Sequence, residues 1–289
     1  EILIGLVGSE MCIRDSSEFH LTGIHYFTVS CVLVPSLTVL YVHMRNGRGS
    51  ERLLLAALVM TAISLLIPIL CVSRFQLVFA VLLAAFTYIS LQKLFHPGWL
   101  FGLFVVMIPF YLILTVARSH NIEYLNGIFE MKNASMPIFV SQPYIYIANN
   151  YDNFNCLVGA LPGHSFGLKG LFPLWALSGL KFFFPQLINF PIYVDKTELT
   201  TLTLFYDSYY DFGWIGVLLF SCVLGAIAYI LVVKLREMRN PLGYLLYAQF
   251  AAYLMLSFFT TWFSNTTTWF YLILTGIMAL FYHLRASRW

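Results

Sequence analysis

Seven stretches of this chain are apolar, free of Asp, Glu, Lys and Arg, and about as long as a bilayer crossing: 23–44, 53–72, 75–92, 97–117, 212–233, 242–262 and 268–284. A helix needs about 20 such residues to cross the hydrocarbon core. Backbone in hydrocarbon must close its own hydrogen bonds, so each run predicts a helix. Pro35, Pro68 and Pro109 fall inside these runs, which membrane helices tolerate because neighbouring groups satisfy the freed carbonyls. Hydrophobic residues make up 60% of the chain and charged residues 10%, against about 25% charged in soluble domains. The expectation is an all-α polytopic membrane protein with about seven spans. A net charge of +3 carries no sign of nucleic acid as a partner.

The first residues read differently. Glu1 to Ser16 resembles a translated sequencing adapter, so 1–16 is expected to be an artefactual leader and is set aside. Acidic Glu10 and Asp15 stand where a signal peptide would be basic. That leaves four expected membrane helices in 17–117, a large segment over 118–211, and three membrane helices in 212–289.

Basic residues orient the spans. Arg45, Arg48 and Arg52, then Lys93, then Lys234, Arg236 and Arg239, and finally Arg285 and Arg288 all fall on one side if the seven runs alternate. That side is cytoplasmic by the positive-inside rule. The segment 118–211, rich in Tyr, Asn, Gly and Pro, is then expected outside the cytoplasm. Within it, 168–185 is apolar and aromatic with Lys169 and Lys181 near its ends. A span there would invert the later basic loops, so an interfacial or re-entrant helix is expected.

Several chemistries lack their motifs. There is no Asp-x-Asp for a nucleotide–metal complex, no Gly-rich phosphate loop, no Gly-x-Ser-x-Gly and no His-Glu-x-x-His. The cysteines show neither a disulfide framework nor zinc-ligand spacing. No metal or cofactor is therefore expected.

The remaining polar residues suit a substrate presented at the membrane surface. Arg74 lies between two apolar runs, at headgroup depth, where a guanidinium can grip a diphosphate in two-pronged fashion or simply reach a lipid phosphate. Asp207 and Asp211 are one helical turn apart at the mouth of the 212–233 run. Either carboxylate could take a proton from an attacking hydroxyl, and either could cap a helix N terminus. His164, in Pro162-Gly163-His164-Ser165-Phe166-Gly167, carries the side-chain type that exchanges protons near neutral pH. Gly213, Gly216 and Gly225 suggest close helix packing. Tyr144, Tyr146, Tyr151, Tyr206, Tyr209 and Tyr210 could stack on sugar rings or anchor the chain at the interface.

Taken in order, Ser73-Arg74, the Tyr146–Asn155 stretch, Pro162-Gly163-His164 and Tyr210-Asp211-Phe212-Gly213-Trp214-Ile215-Gly216 resemble the oligosaccharide repeat unit polymerases, the O-antigen polymerase family. The resemblance covers 23–289. It implies a multi-pass inner-membrane glycosyltransferase of the GT-C type in bacteria, with 118–211 periplasmic. Such an enzyme joins glycan units carried on undecaprenyl diphosphate, without metal or nucleotide sugar, in O-antigen, capsule or exopolysaccharide assembly. The family usually has more spans, which implies upstream helices lost at the adapter junction. On matching positions, Arg74 would hold the diphosphate with help from Arg118 or Lys169. Asp211 or His164 would take the proton, and Tyr210 with Asp207 would border the acceptor. The expected partners are the lipid-linked glycan, the lipid bilayer and other polysaccharide-assembly proteins such as a chain-length regulator. An O-antigen ligase would use the same donor, but Trp175 stands where that family's pattern after its His has Gly. A transporter or flippase for lipid-linked sugar would keep ionisable residues inside its spans, and these spans hold none.

Overall fold

The computed structural model describes residues 24–45, 50–71, 73–92, Gly98, Phe101, Gly102 and Val105, and 126–286 apart from Ala134, Ile188, Glu198 and Arg236. All regular structure among them is helical. The helices are α1 Ile24–Val29, α2 Val34–Arg45, α3 Glu51–Leu70, α4 Arg74–Leu91, α5 Ile138–Ala160, α6 Phe172–Leu177, α7 Tyr206–Leu235, α8 Leu242–Met255 and α9 Thr266–Ala286. A 3-10 turn, Ser30–Leu33, joins α1 to α2.

Among the described residues, four helical stretches are long and apolar enough to cross a membrane: His25–Arg45, Glu51–Leu70, Tyr206–Leu235 and Thr266–Ala286. They match the runs at 23–44, 53–72, 212–233 and 268–284. The run at 75–92 is helical over the shorter Phe75–Leu91, and that at 242–262 only over Leu242–Met255. Most of 97–117 lies outside the described residues, as do the leader 1–16 and Arg118. The expected seven spans are therefore not reached among the described residues.

The chain divides into two compact units. In the unit formed by the described parts of 8–118, 230–252 and 270–289, Val32, Leu33, Leu40, Leu77, Phe79, Ala80 and Leu83 are buried. Polar groups make specific ties inside this apolar unit. The Tyr271 hydroxyl donates to the Val29 carbonyl at 2.9 Å, where α1 gives way to the 3-10 turn. Gln249 Nε2 donates to Thr275 Oγ1 at 2.6 Å, joining α8 to α9. Such bonds fix which helix faces meet where apolar packing alone discriminates poorly.

The other unit comprises the described parts of 119–229 together with 253–269. Its frame is α5, a helix whose buried side is largely polar. Ser141, Gln142, Ile145, Asn149, Asn150, Asn153 and Leu157 are buried at helical spacing. The Asn amides face an extended strap near 190–204. Asn149 Nδ2 reaches the Leu199 carbonyl at 2.9 Å. Asn153 Nδ2 reaches Leu199 and Thr201 carbonyls, both at 2.8 Å, while its Oδ1 accepts from Asp195 N at 2.9 Å. An extended strap has no helix to satisfy its own backbone, so these side chains supply the partners. Asn150 Nδ2 bonds the Phe258 carbonyl at 2.6 Å, and Leu204 N bonds the Ser257 carbonyl at 2.7 Å. Tertiary partners take these carbonyls just after Met255, which is why the apolar run continues to 262 but α8 does not.

The apolar stretch 168–185 forms no single helix. It breaks into α6 and 3-10 turns at Leu180–Phe182 and Pro185–Leu187, with Gly179 at φ +77° between the first two. Only glycine enters that left-handed conformation at little cost. Replacing Asn153 with Ala is expected to destabilise the protein by about 2–4 kcal/mol, since the Thr201 carbonyl and Asp195 N lose their side-chain partner and the Leu199 carbonyl keeps only Asn149. Denaturant unfolding in detergent micelles reads this as a lowered midpoint.

Candidate functional site

The site grows out of the start of α7 and one loop. A core of Leu157, Leu202, Tyr206 and Tyr210 packs with Phe154, Phe190, Tyr193 and Tyr209. Tyr206 is fully buried, its hydroxyl donating to the Tyr193 carbonyl at 2.9 Å and accepting from Tyr193 N at 2.8 Å. The first turn of α7 is thereby locked to the strap.

Asp211 ends that turn, and the loop His164–Gly170 folds around it. Its carboxylate, 3% exposed, accepts from Ser165 Oγ, from Lys169 N at 3.2 Å and from Gly170 N at 2.8 Å. A Cβ on Gly170 would sit 2.7 Å from Asp211 Oδ2, so the close approach requires glycine. The backbone joins in: Ser165 N donates to the Tyr210 carbonyl at 3.3 Å and Phe166 N to that of Asp211 at 3.1 Å. Asp211 thus acts as an anchor. A carboxylate occupied by this many donors presents little free lone pair to a substrate.

His164 is exposed at the edge of this clamp. Its Nδ1 is 3.3 Å from the Tyr210 carbonyl. A carbonyl only accepts, so Nδ1 carries a proton, and of the two neutral tautomers this contact selects the one with its lone pair on Nε2. The ring lies over Gly213, where a Cβ would come within 3.1 Å of Cε1 and Nε2. Gly213 also has φ +64° and ψ −152°, next to Phe212 at φ −137°, which breaks α7. Side chains other than hydrogen are strained there. At Gly216 a Cβ would collide with the Ser208 carbonyl of the same helix, a closeness within the broken α7 and not the approach of a second helix, whereas Gly225 has open space around it.

Lys169 differs from its expected role. It is 9% exposed, with Nζ 3.7 Å from Asp207 Oδ1 and 4.3 Å above the Tyr210 ring. Burial pushes its ammonium below the ordinary lysine range, and Asp207 and Asp211 oppose that shift. Asp207 is 5% exposed. Both members of this pair are thus turned inward, where they brace the loop against α7 and do not face a diphosphate. Tyr210, also buried, supplies the ring beneath the ammonium. Arg74 opens α4, as its place between apolar runs predicts. It belongs to the other unit, and its side-chain surroundings lie outside the described residues.

The arrangement brings together His164, Lys169, Asp207, Tyr210 and Asp211. Sequence reasoning passed over Ser165 and Gly170; their signal was the Gly-His-Ser-Phe-Gly-Leu-Lys-Gly spacing, which concentrates small residues and free amides beside a histidine. Among the described residues no group of three His, Cys, Asp or Glu is placed to hold a metal ion. No protein family, curated protein or solved structure matches the chain.

Lys169→Met is expected to cost about 3–5 kcal/mol, because it leaves Asp207 buried without its cation. The double change Lys169→Met with Asp207→Leu should recover most of that loss in the same unfolding assay. An Ala at Gly213 is expected to cost about 1–3 kcal/mol through backbone strain and to displace the His164 ring, visible as a shift of its imidazole NMR signals.

Proposed function

We propose that this protein is a membrane glycosyltransferase that joins glycan repeat units carried on polyprenyl diphosphate, with His164 as the general base. The observation that carries the reading is the exposed imidazole whose Nδ1 is held on the Tyr210 carbonyl while Nε2 is left as an acceptor. Supporting it are the helices long enough to cross a membrane and the resemblance in motif order to the oligosaccharide repeat unit polymerases. The topology that goes with it has seven spans, with the segment 118–211 on the periplasmic face of a bacterial inner membrane.

In this reaction an acceptor sugar hydroxyl attacks the anomeric carbon of the donor. A new C–O bond forms as the bond from that carbon to the diphosphate oxygen breaks. The hydroxyl proton passes to His164 Nε2, and the bonding pair leaves with polyprenyl diphosphate. Asp211, Lys169 and Asp207 hold the loop that carries the base, and Tyr210 aims it through its carbonyl. No metal or cofactor enters the scheme.

The test is His164→Ala in the full-length protein, expressed in a strain that makes lipid-linked repeat units but lacks its own polymerase. The expected result is at least a ~100-fold loss of ladder-like polymer, the scale of one general base. An unchanged ladder overturns the assignment of His164. Deletion of the gene from its own host separates the readings. Single repeat units on lipid A support a polymerase, and absence of any attached glycan supports a ligase.

A further inference from the structure

The stretch after the His164 loop carries an aromatic tip that stands open among the described residues. Leu180-Lys181-Phe182-Phe183-Phe184 presents Phe182 at 71% and Phe183 at 78% exposure, with Phe184 about half exposed. Consecutive large aromatics left this open need a partner. We infer that residues 180–184 insert into the interfacial layer of the lipid bilayer as a wedge, with Lys181 meeting lipid phosphate.

Three features favour lipid as the occupant. The first is hydrogen bonding inside the tip. Phe182 N donates to the Gly179 carbonyl at 3.1 Å, Phe183 N and Phe184 N to that of Leu180 at 3.0 Å, and Leu187 N to that of Phe184 at 3.0 Å. Amides already paired can leave water at small cost, which most exposed loops cannot do. The second is charge. From Phe166 to Leu187 there is no Asp or Glu, and the two charged residues are Lys169 and Lys181. Lys169 is turned inward, so Lys181 alone offers a cation here, its ammonium 5.1 Å from the Phe182 ring centroid. An aromatic body beside a cation suits the headgroup boundary. The third is continuity, because α7, most of which belongs to the same unit as the tip, is long and apolar enough to cross a bilayer.

The wedge follows His164 closely in sequence and is joined to it through the clamped loop and α6. Its insertion would hold His164 near headgroup depth, where a soluble sugar has no advantage but a lipid-linked diphosphate is concentrated. That consequence rests on the proposed function; the insertion itself does not.

The experiment is site-directed spin labelling of Phe183→Cys, in full-length protein with native cysteines replaced by Ala, reconstituted in phosphatidylethanolamine and phosphatidylglycerol vesicles. Ser135→Cys, exposed in the same unit, is the aqueous control. Power saturation with oxygen and with a water-soluble nickel chelate reads the surroundings. High oxygen and low nickel accessibility at 183, with the reverse balance at 135, is the expected result. High nickel accessibility at 183 means water and overturns the proposal. Low accessibility to both means protein cover, such as a second copy of the chain, and overturns it too. Phe182→Cys provides a second position should the first variant fold poorly. No outcome depends on enzymatic activity, so failure of the wedge and failure of the polymerase reading remain distinct.

Discussion

A buried carboxylate must be matched by donors or it costs several kcal/mol, and Asp211 finds its donors in a loop more than 40 residues earlier in the chain. The consequence runs into the helix itself. In an unbroken helix the Tyr210 and Asp211 carbonyls would accept from residues 214 and 215. Here they accept from Ser165 N and Phe166 N, and Tyr210 also from the His164 ring. The loop thus grips both carbonyls just where Phe212 and Gly213 leave helical geometry. The kink, the glycine and the imidazole position meet at these bonds.

Beneath the loop, Lys169 and Asp207 carry opposite charges with little access to water. An isolated pair of this kind is a weak source of stability, since desolvation offsets much of the attraction. Its effect is geometric. Tyr206 and Tyr210 rings flank the ammonium, so the lysine is held from several directions at once. Residue 169 therefore fixes the far end of the same loop whose near end carries His164. Two anchors on a short loop restrain the imidazole better than either could alone.

Much of the membrane part was legible because uncharged runs of sufficient length leave few alternatives to helix. Glu51–Leu70 and Thr266–Ala286 fall close to the runs at 53–72 and 268–284. Where the reading failed, tertiary bonds were responsible. The 242–262 run gave no hint that Asn150 and Leu204 would claim the Phe258 and Ser257 carbonyls. Helix α5 escaped notice because its buried stripe is Asn, Gln and Ser, and a search for apolar periodicity does not register a polar stripe. The spacing of Gln142, Asn149, Asn150 and Asn153 was nonetheless helical and could have been found by asking about amides. At the site, His164 and Asp211 were visible as residue types. Their division of labour was not, because it depends on which of them the loop amides meet.

That division has a chemical logic under the proposed reaction. A histidine base is often oriented by a carboxylate, which adds a full negative charge behind the ring. Beside a departing diphosphate, such a charge would oppose the developing charge on the leaving group. In this protein the nearby carboxylates face inward, Asp211 toward amides and Ser165 and Asp207 toward Lys169. A neutral carbonyl holds Nδ1 instead. The ring gains its orientation and tautomer from the backbone, without another net charge at the exposed edge. The broken helix makes this possible, because a carbonyl committed to an intact helix would be less available to the imidazole.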